Sequence, residues 1–156
     1  MLTDHLWYPT EKIFVNGHWQ KPDSGNHGEL VNPSNGETIA NIALGNSRDI
    51  ESSVSAALNA MKGPWGKSTA VQRGRLLLRL SDLVKKRLNN LAYIESIDVG
   101  KPLTQSKNDA IALARYFEFY GGASDKITGE TIPYLNGYTV YTLREPHGVT
   151  GHIVPW

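Results

Sequence analysis

Gly148-Val149-Thr150-Gly151-His152-Ile153-Val154-Pro155-Trp156 is the stretch on which the fold class turns. It is a short run of small, β-branched and apolar residues, and it reads as a strand buried on both faces, the kind found inside α/β sheets. Pro155 closes it, because proline has no N–H to give to the next rung of a ladder. Just upstream, Tyr138-Thr139-Val140-Tyr141-Thr142-Leu143 is β-branched and aromatic. With Asn136-Gly137 before it and Glu145-Pro146 after it, this segment reads as a second strand.

Further back, the period lengthens to that of a helix. From Leu103 towards Tyr120, a single stripe carries Leu103, Ala110, Ile111, Ala114 and Phe117, with Gly121-Gly122 loosening its end. A shorter helix from about Leu91 to Asp98 should end at Gly100, which suits the left-handed C′ position, and Pro102 suits the first turn of the helix that follows. Thr69 and Gln72 have capping-box spacing ahead of Leu76, Leu77, Leu80, Leu83, Val84 and Leu88. Arg73, Arg75, Arg79, Lys85, Lys86 and Arg87 cover the rest of that helix, a solvated basic face around a leucine stripe rather than an anion site. Leu80 is expected to be buried in the complete protein. A helix from Ser47 places Ile50, Val54, Ala57, Leu58 and Met61 on one face until Gly63-Pro64 stops it.

Ahead of these helices the chain returns to extended structure. Asn16-Gly17 separates Ile13-Phe14-Val15 from His18-Trp19, and Asn-Gly between apolar stretches signals a hairpin because both turn positions need positive φ. A second hairpin is expected around Asn32-Pro33-Ser34-Asn35-Gly36, between Leu30-Val31 and Thr38-Ile39-Ala40-Asn41-Ile42. Residues 1–12 read as an irregular arm, and residues 13–156 as one partial domain cut at its C-terminal end. The order of two β units, three or four helices and two further strands is that of the opening of a larger α/β protein.

Composition bounds the function. Of 156 residues, 40% are hydrophobic and 20% charged, which is globular rather than disordered. The 16 basic and 15 acidic residues are interspersed, so there is no electrostatic footprint for nucleic acid or an anionic membrane. No segment is apolar for long enough to span a bilayer, and Met1-Leu2-Thr3-Asp4-His5 lacks the basic and apolar parts of a secretory signal, so the cytoplasm is expected. The cysteine count of 0 excludes a thiol nucleophile and a thiolate metal site within these residues.

Common site signatures, including GxGxxG, GxxxxGK[ST], HExxH and GxSxG, do not occur. His147 and His152 would point to opposite faces of one strand, while His5, His18 and His27 are scattered, and they read as surface or turn histidines rather than metal ligands. Lys101, in Asp98-Val99-Gly100-Lys101-Pro102, is read as structural rather than as a catalytic amine.

Motif order carries the strongest signal. Phe14-Val15-Asn16-Gly17-His18-Trp19 is followed by Val31-Asn32-Pro33-Ser34-Asn35-Gly36-Glu37, Trp65, Arg73-Gly74-Arg75 and Asp98-Val99-Gly100-Lys101-Pro102. Then come Arg115-Tyr116-Phe117, Gly122-Ala123-Ser124-Asp125-Lys126-Ile127, Gly129, Ile132-Pro133, Tyr141, Arg144-Glu145-Pro146, Gly148-Val149-Thr150-Gly151 and Ile153-Val154-Pro155-Trp156. In this order the sequence resembles the aldehyde dehydrogenase superfamily over essentially residues 13–156. Each fragment alone is weak, and their fixed succession is specific.

The resemblance implies an α/β fold of β-hairpins, three to four helices, oligomerisation strands and the first strand of a dinucleotide-binding domain. It implies an NAD or NADP cofactor, a small-molecule aldehyde substrate and a homodimer or homotetramer. By the same resemblance Ile153, Val154, Pro155 and Trp156 line the nicotinamide cleft, at the carboxyl end of a strand where open α/β sheets bind ligands. The bland alternative is that Pro155-Trp156 only caps the strand and packs on a core. Relatives that hold a monovalent cation use oxygens near the positions of Val31 and Asp98, but a lone Asp is more often a cap or ion-pair partner, and no metal site is assigned. The nucleophilic cysteine, the general-base glutamate and the oxyanion-binding asparagine are expected beyond Trp156, so no catalytic residue is assigned within the chain. Two readings remain: the first portion of a full-length dehydrogenase, inactive alone, or a free-standing non-catalytic module that kept the fold's first portion as a binding or pairing surface.

Overall fold

A computed structural model describes residues 6–154. The chain opens with two antiparallel hairpins, β1 (Ile13–Val15) with β2 (His18–Gln20), and β3 (His27–Val31) with β4 (Thr38–Ala43). The first turns where expected: Asn16 and Gly17 hold φ of 51° and 80°, the pair of left-handed residues that matches the twist of the flanking strands. In the second, the amide of Asn32 donates to the carbonyl of Glu37, and the Asn32 side chain accepts from the amide of Ser34. A register shift between Leu30 and Val31 bends β3, so that Ile39 and Ala40 on β4 are both half-buried.

Five helices follow: α1 (Ser47–Lys62), α2 (Pro64–Lys67), α3 (Ala70–Lys86), α4 (Leu88–Val99) and α5 (Leu103–Ala123). A capping box of Asn46 and Asp49 starts α1, and the expected box of Thr69 and Gln72 starts α3. Gly63-Pro64 ends α1 at Lys62 as anticipated. Pro64 also begins the single turn of α2, which the sequence reading did not include, because proline's missing N–H costs nothing in a first turn. Gly100 takes the left-handed position after α4 (φ 75°), and Pro102 stands one residue ahead of α5 as its cap.

Two expectations about the helices require correction. The Gly121-Gly122 pair does not loosen α5, which continues to Ala123. Gly121 is buried against α3, where an added Cβ would lie 3.0 Å from the carbonyl oxygen of Gly74. The pair therefore marks the closest approach of two backbones. The second correction concerns the face of α3. Gly74, Ser81 and Val84 are its buried residues, whereas Leu76 is 50% exposed and Leu80 38% exposed. α3 meets α5 through small residues: Ser81 Oγ donates to the carbonyl of Ala114, and Ser124 Oγ donates to that of Ala70. Ala110 and Ala114 complete this seam from the α5 side. Small side chains let the helices come close; of the expected stripe Val84 is buried and Leu77 and Leu88 are half-buried, while Leu76, Leu80 and Leu83 are left exposed. On α1 the stripe residues Ile50, Val54 and Leu58 are likewise exposed, and Asp49 is the buried residue.

The C-terminal β region is shorter than expected. β5 (Thr131–Ile132) pairs antiparallel with β6 (Val140–Tyr141), so the strand read over Tyr138–Leu143 contracts to two residues. Residues 148–154 form no strand, contrary to the reading of a segment buried on both faces, and Ile153 and Val154 are exposed. A strand exists only by pairing, and among the described residues the three two-stranded sheets pair β1 with β2, β3 with β4 and β5 with β6, with residues 148–154 on none of their edges. The architecture is mixed α/β, with helices and short antiparallel ribbons.

Candidate functional site

Two of the motifs singled out by their order, Asn32-Pro33-Ser34 and Gly100-Lys101-Pro102, come together at the C-terminal end of α4. The turn Asn32-Pro33-Ser34 lies directly against Gly100: a Cβ there would fall 2.8 Å from Pro33 Cγ, and the positive φ independently favours glycine. Ser96 Oγ donates to the carbonyl of Lys101 at 2.8 Å, which turns the backbone out of the helix. Lys101 then reaches between two helices, its Nζ donating to Glu95 on α4 and, at 2.7 Å, to Asp109 on α5.

That arrangement decides the chemistry available to Lys101. Its hydrogen bonds to Asp109 and then Glu95 raise its pKa above the ordinary lysine value of 10.5. The ammonium is therefore held protonated, the opposite of what an amine nucleophile requires, and Lys101 ties α4 to α5. Asp98 takes a different part. It neither caps a helix nor forms an ion pair among the described residues; it lines both an apolar cavity beside β3 and β4 and the open groove between α4 and α5.

The expected cofactor-binding residues divide at the end of the described chain. Ile153 and Val154 are exposed beyond the β5–β6 ribbon, while Pro155 and Trp156 lie outside the described residues. His147 and His152 are also exposed, and His152 Nε2 lies 3.3 Å from Thr150 Oγ1. His27 reaches the arm, where its Nε2 is 3.2 Å from the carbonyl of Glu11. Among the described residues, no three His, Cys, Asp or Glu side chains gather as a metal-holding group, and no helix is long and apolar enough to cross a membrane.

Two structural centres escaped the sequence reading. Asp49 accepts from the amides of Asp23 and Asn46 and links the β2–β3 loop to the start of α1. Its signal was present as an Asn46-x-x-Asp49 cap. Trp7 lies against Arg87, whose Cζ is 4.9 Å from the ring centroid, and Tyr8 stacks on Trp19 at 5.9 Å. No local pattern announces these contacts, because each joins segments far apart in the chain.

The class that emerges is a mixed α/β chain in which a hairpin turn packs on a helix-ending Gly-Lys-Pro segment and a short β ribbon follows the longest helix. The sequence profile described as "Aldehyde dehydrogenase family" matches residues 19–156. Aldehyde dehydrogenase family 2 member B4, mitochondrial, of Arabidopsis thaliana is 44% identical over 147 residues, covering 93% of this chain and 27% of that protein. The mitochondrial aldehyde dehydrogenase of Rattus norvegicus is 40% identical over 148 residues, covering 93% of this chain and 28% of that protein. A solved chain from Burkholderia cenocepacia, described as an aldehyde dehydrogenase, superposes with a TM-score of 0.86 at 53% identity, over 88% of this chain and 29% of that one. The chain belongs to the aldehyde dehydrogenase family. It spans less than a third of the length of these relatives.

Proposed function

We propose that this chain supplies the N-terminal portion of an enzyme that oxidises a small-molecule aldehyde to a carboxylic acid with NAD or NADP. The observation that carries the reading is the junction of the Asn32-Pro33-Ser34 turn with Gly100-Lys101-Pro102, two family-like motifs distant in sequence and in contact in the fold. Relatives are named as aldehyde dehydrogenases, and one solved neighbour, betaine aldehyde dehydrogenase of Staphylococcus aureus, is described in complex with NAD+.

The residues present fit one wall of a dinucleotide site. Ile153 and Val154 are exposed and outside any ladder, so their side chains can pack on a planar ring and their peptide groups remain free to hydrogen-bond. We assign Pro155 and Trp156, which lie outside the described residues, to cofactor contact on the resemblance alone. The cofactor, when bound, accepts the hydride. Formation and hydrolysis of a thioester require a thiolate to add to the aldehyde carbon and a base-activated water to release the acid, and the cysteine count of these residues is 0. The nucleophile is therefore not among these residues, and by the resemblance we assign the general base and the oxyanion donor to sequence outside residues 1–156 as well. We assign residues 13–156 to a partial domain preceded by an arm at 1–12, the assembled enzyme to a homodimer or homotetramer in the cytoplasm, and neither nucleic acid nor membrane to its partners.

The test is NADH production from aliphatic and aromatic aldehydes by residues 1–156 and by a longer chain carrying the downstream reading frame. The longer chain should turn over and the 156 residues should stay at the no-enzyme rate. Turnover by the purified 156 residues would overturn the assignment of the chemistry. Inactivity of a folded longer chain containing the expected Asn, Glu and Cys would overturn the dehydrogenase reading.

A further inference from the structure

We propose that Asn16 is a site of spontaneous covalent modification, its side-chain amide lost as ammonia through a succinimide closed by the Gly17 nitrogen, leaving aspartate or isoaspartate in the β1–β2 turn. The Gly17 nitrogen gives up its proton to solvent hydroxide and attacks Asn16 Cγ; the Cγ–Nδ2 bond breaks and ammonia departs. Water then opens the ring. Cleavage at Cγ restores the ordinary main chain with an aspartate, and cleavage at the main-chain carbonyl carbon of residue 16 reroutes the chain through the side chain as isoaspartate. A following glycine suits this path because it has no side chain to shield the attacking nitrogen.

Three Asn-Gly steps occur in the chain, at Asn16, Asn35 and Asn136, all of them exposed, and the fold separates their chemistry. At Asn35 both reacting groups are held. The amide of Gly36 donates to the carbonyl of Asn32 at 2.8 Å, Asn35 Nδ2 donates to Glu37 Oε2 at 2.8 Å, and Asn35 Oδ1 accepts from the amide of Glu37 at 3.1 Å. At Asn136 the obstacle is conformational. Gly137 carries the positive φ (86°), Asn136 does not, and the amide of Tyr138 donates to the carbonyl of Leu135 at 3.2 Å, the pattern of a type II turn.

Asn16 meets neither obstacle. Its side chain and the Gly17 N–H have no hydrogen-bond partner among the described residues, and the hairpin around them is held by the pairing of Val15 with His18. The φ of 51° at Asn16 and 80° at Gly17 define a type I′ turn. Types I′ and II′ share the positive φ of the first central residue and differ by a flip of the central peptide plane. After that flip ψ of Asn16 is about −120°, which eclipses Cβ and the Gly17 nitrogen about the Cα–C bond, as the five-membered ring requires. Gly17 alone changes the sign of its φ, which glycine does freely. Asn136, at negative φ, leaves the allowed regions to reach the same ψ. The isoaspartate product adds a methylene to the main chain inside a two-residue turn, so it strains the Val15–His18 pair and with it Val15, which is buried.

The experiment incubates the full chain in warm, mildly alkaline buffer, folded and in urea. Each Asn-Gly step is followed by peptide mass spectrometry, with electron-based fragmentation to separate aspartate from isoaspartate. In urea the three steps should react at similar rates, since each is the same dipeptide. In the folded chain Asn16 should convert first, with Asn35 about tenfold slower because its hydrogen bonds must break before it reacts. Glu37→Ala, which removes the Nδ2 anchor, should speed Asn35 about threefold and leave Asn16 unchanged. Asn35 or Asn136 converting as fast as Asn16 in the folded chain, Asn16 intact after the urea-treated chain has reacted, or an Asn35 rate indifferent to Glu37→Ala would each overturn the proposal.

Discussion

Asp49→Ala is expected to remove the polar junction that joins the first β region to the helices. Asp49 is 5% exposed, and its two carboxylate oxygens each lie 3.1 Å from the amide of Asp23, while one accepts from the amide of Asn46 at 2.9 Å. Truncation leaves two backbone donors without their charged acceptor. Such bonds contribute about 1.5–3 kcal/mol each, but Asp23 is exposed and Asn46 half-buried, so water recovers part of the loss. The negative charge at the start of α1 adds a few tenths through the helix dipole. A net loss of about 2–3 kcal/mol follows, which for a chain of this size lowers Tm by roughly 5–10 °C. Thermal and urea melts followed by circular dichroism measure it, with Asp49→Asn retaining one acceptor oxygen and recovering part of the loss. An Asp49→Ala variant within about 0.5 kcal/mol of the parent would show that water serves these amides equally well and would refute the argument.

Gly74→Ala should cost about 1–3 kcal/mol by overpacking, since its Cβ would stand 2.3 Å from Ser124 Oγ and 2.6 Å from the carbonyl oxygen of Gly121; a urea midpoint unchanged from the parent would count against the α3–α5 seam. Leu80→Ala should cost less than about 1.5 kcal/mol in this chain, where Leu80 is 38% exposed, and about 2–5 kcal/mol in a longer chain that covers the stripe; equal losses in the two backgrounds would show that nothing further packs on it. For Lys101 the folded pKa is raised, so the bridge's contribution is fully present below the unfolded value of 10.5 and is lost as pH rises through the higher folded value. Alkaline melts of the parent and of Lys101→Met should therefore converge only above pH 10.5, and convergence well below it would contradict the geometry at Glu95 and Asp109.

Local physics was legible in the sequence because its causes lie within a few residues. Asn16-Gly17 turns because its two residues tolerate positive φ, Thr69 and Gln72 start α3 because the side chain of each accepts from the other's backbone amide, and Gly100 ends α4 because it adopts φ 75° without strain. The order of motifs from Phe14 to Trp156 likewise carried the family, which needs no coordinates.

The tertiary structure alone decided which faces are used. Periodicity shows that α3 has a leucine stripe, but the seam with α5 is chosen by how closely two backbones can approach, and Gly74, Ser81, Ala110, Ala114 and Gly121 permit an approach that leucines would block. Strand formation is equally non-local: Tyr138–Leu143 has strand-forming residues throughout, yet only Val140–Tyr141 pairs, and Gly148–Val154 pairs with nothing among the described residues. A ladder needs a second chain segment at hydrogen-bonding distance, and neither side-chain preference nor a closing proline can provide one. The same reasoning covers Lys101, whose structural role follows from Glu95 and Asp109 meeting it from two helices, a meeting that depends on how α4 and α5 pack.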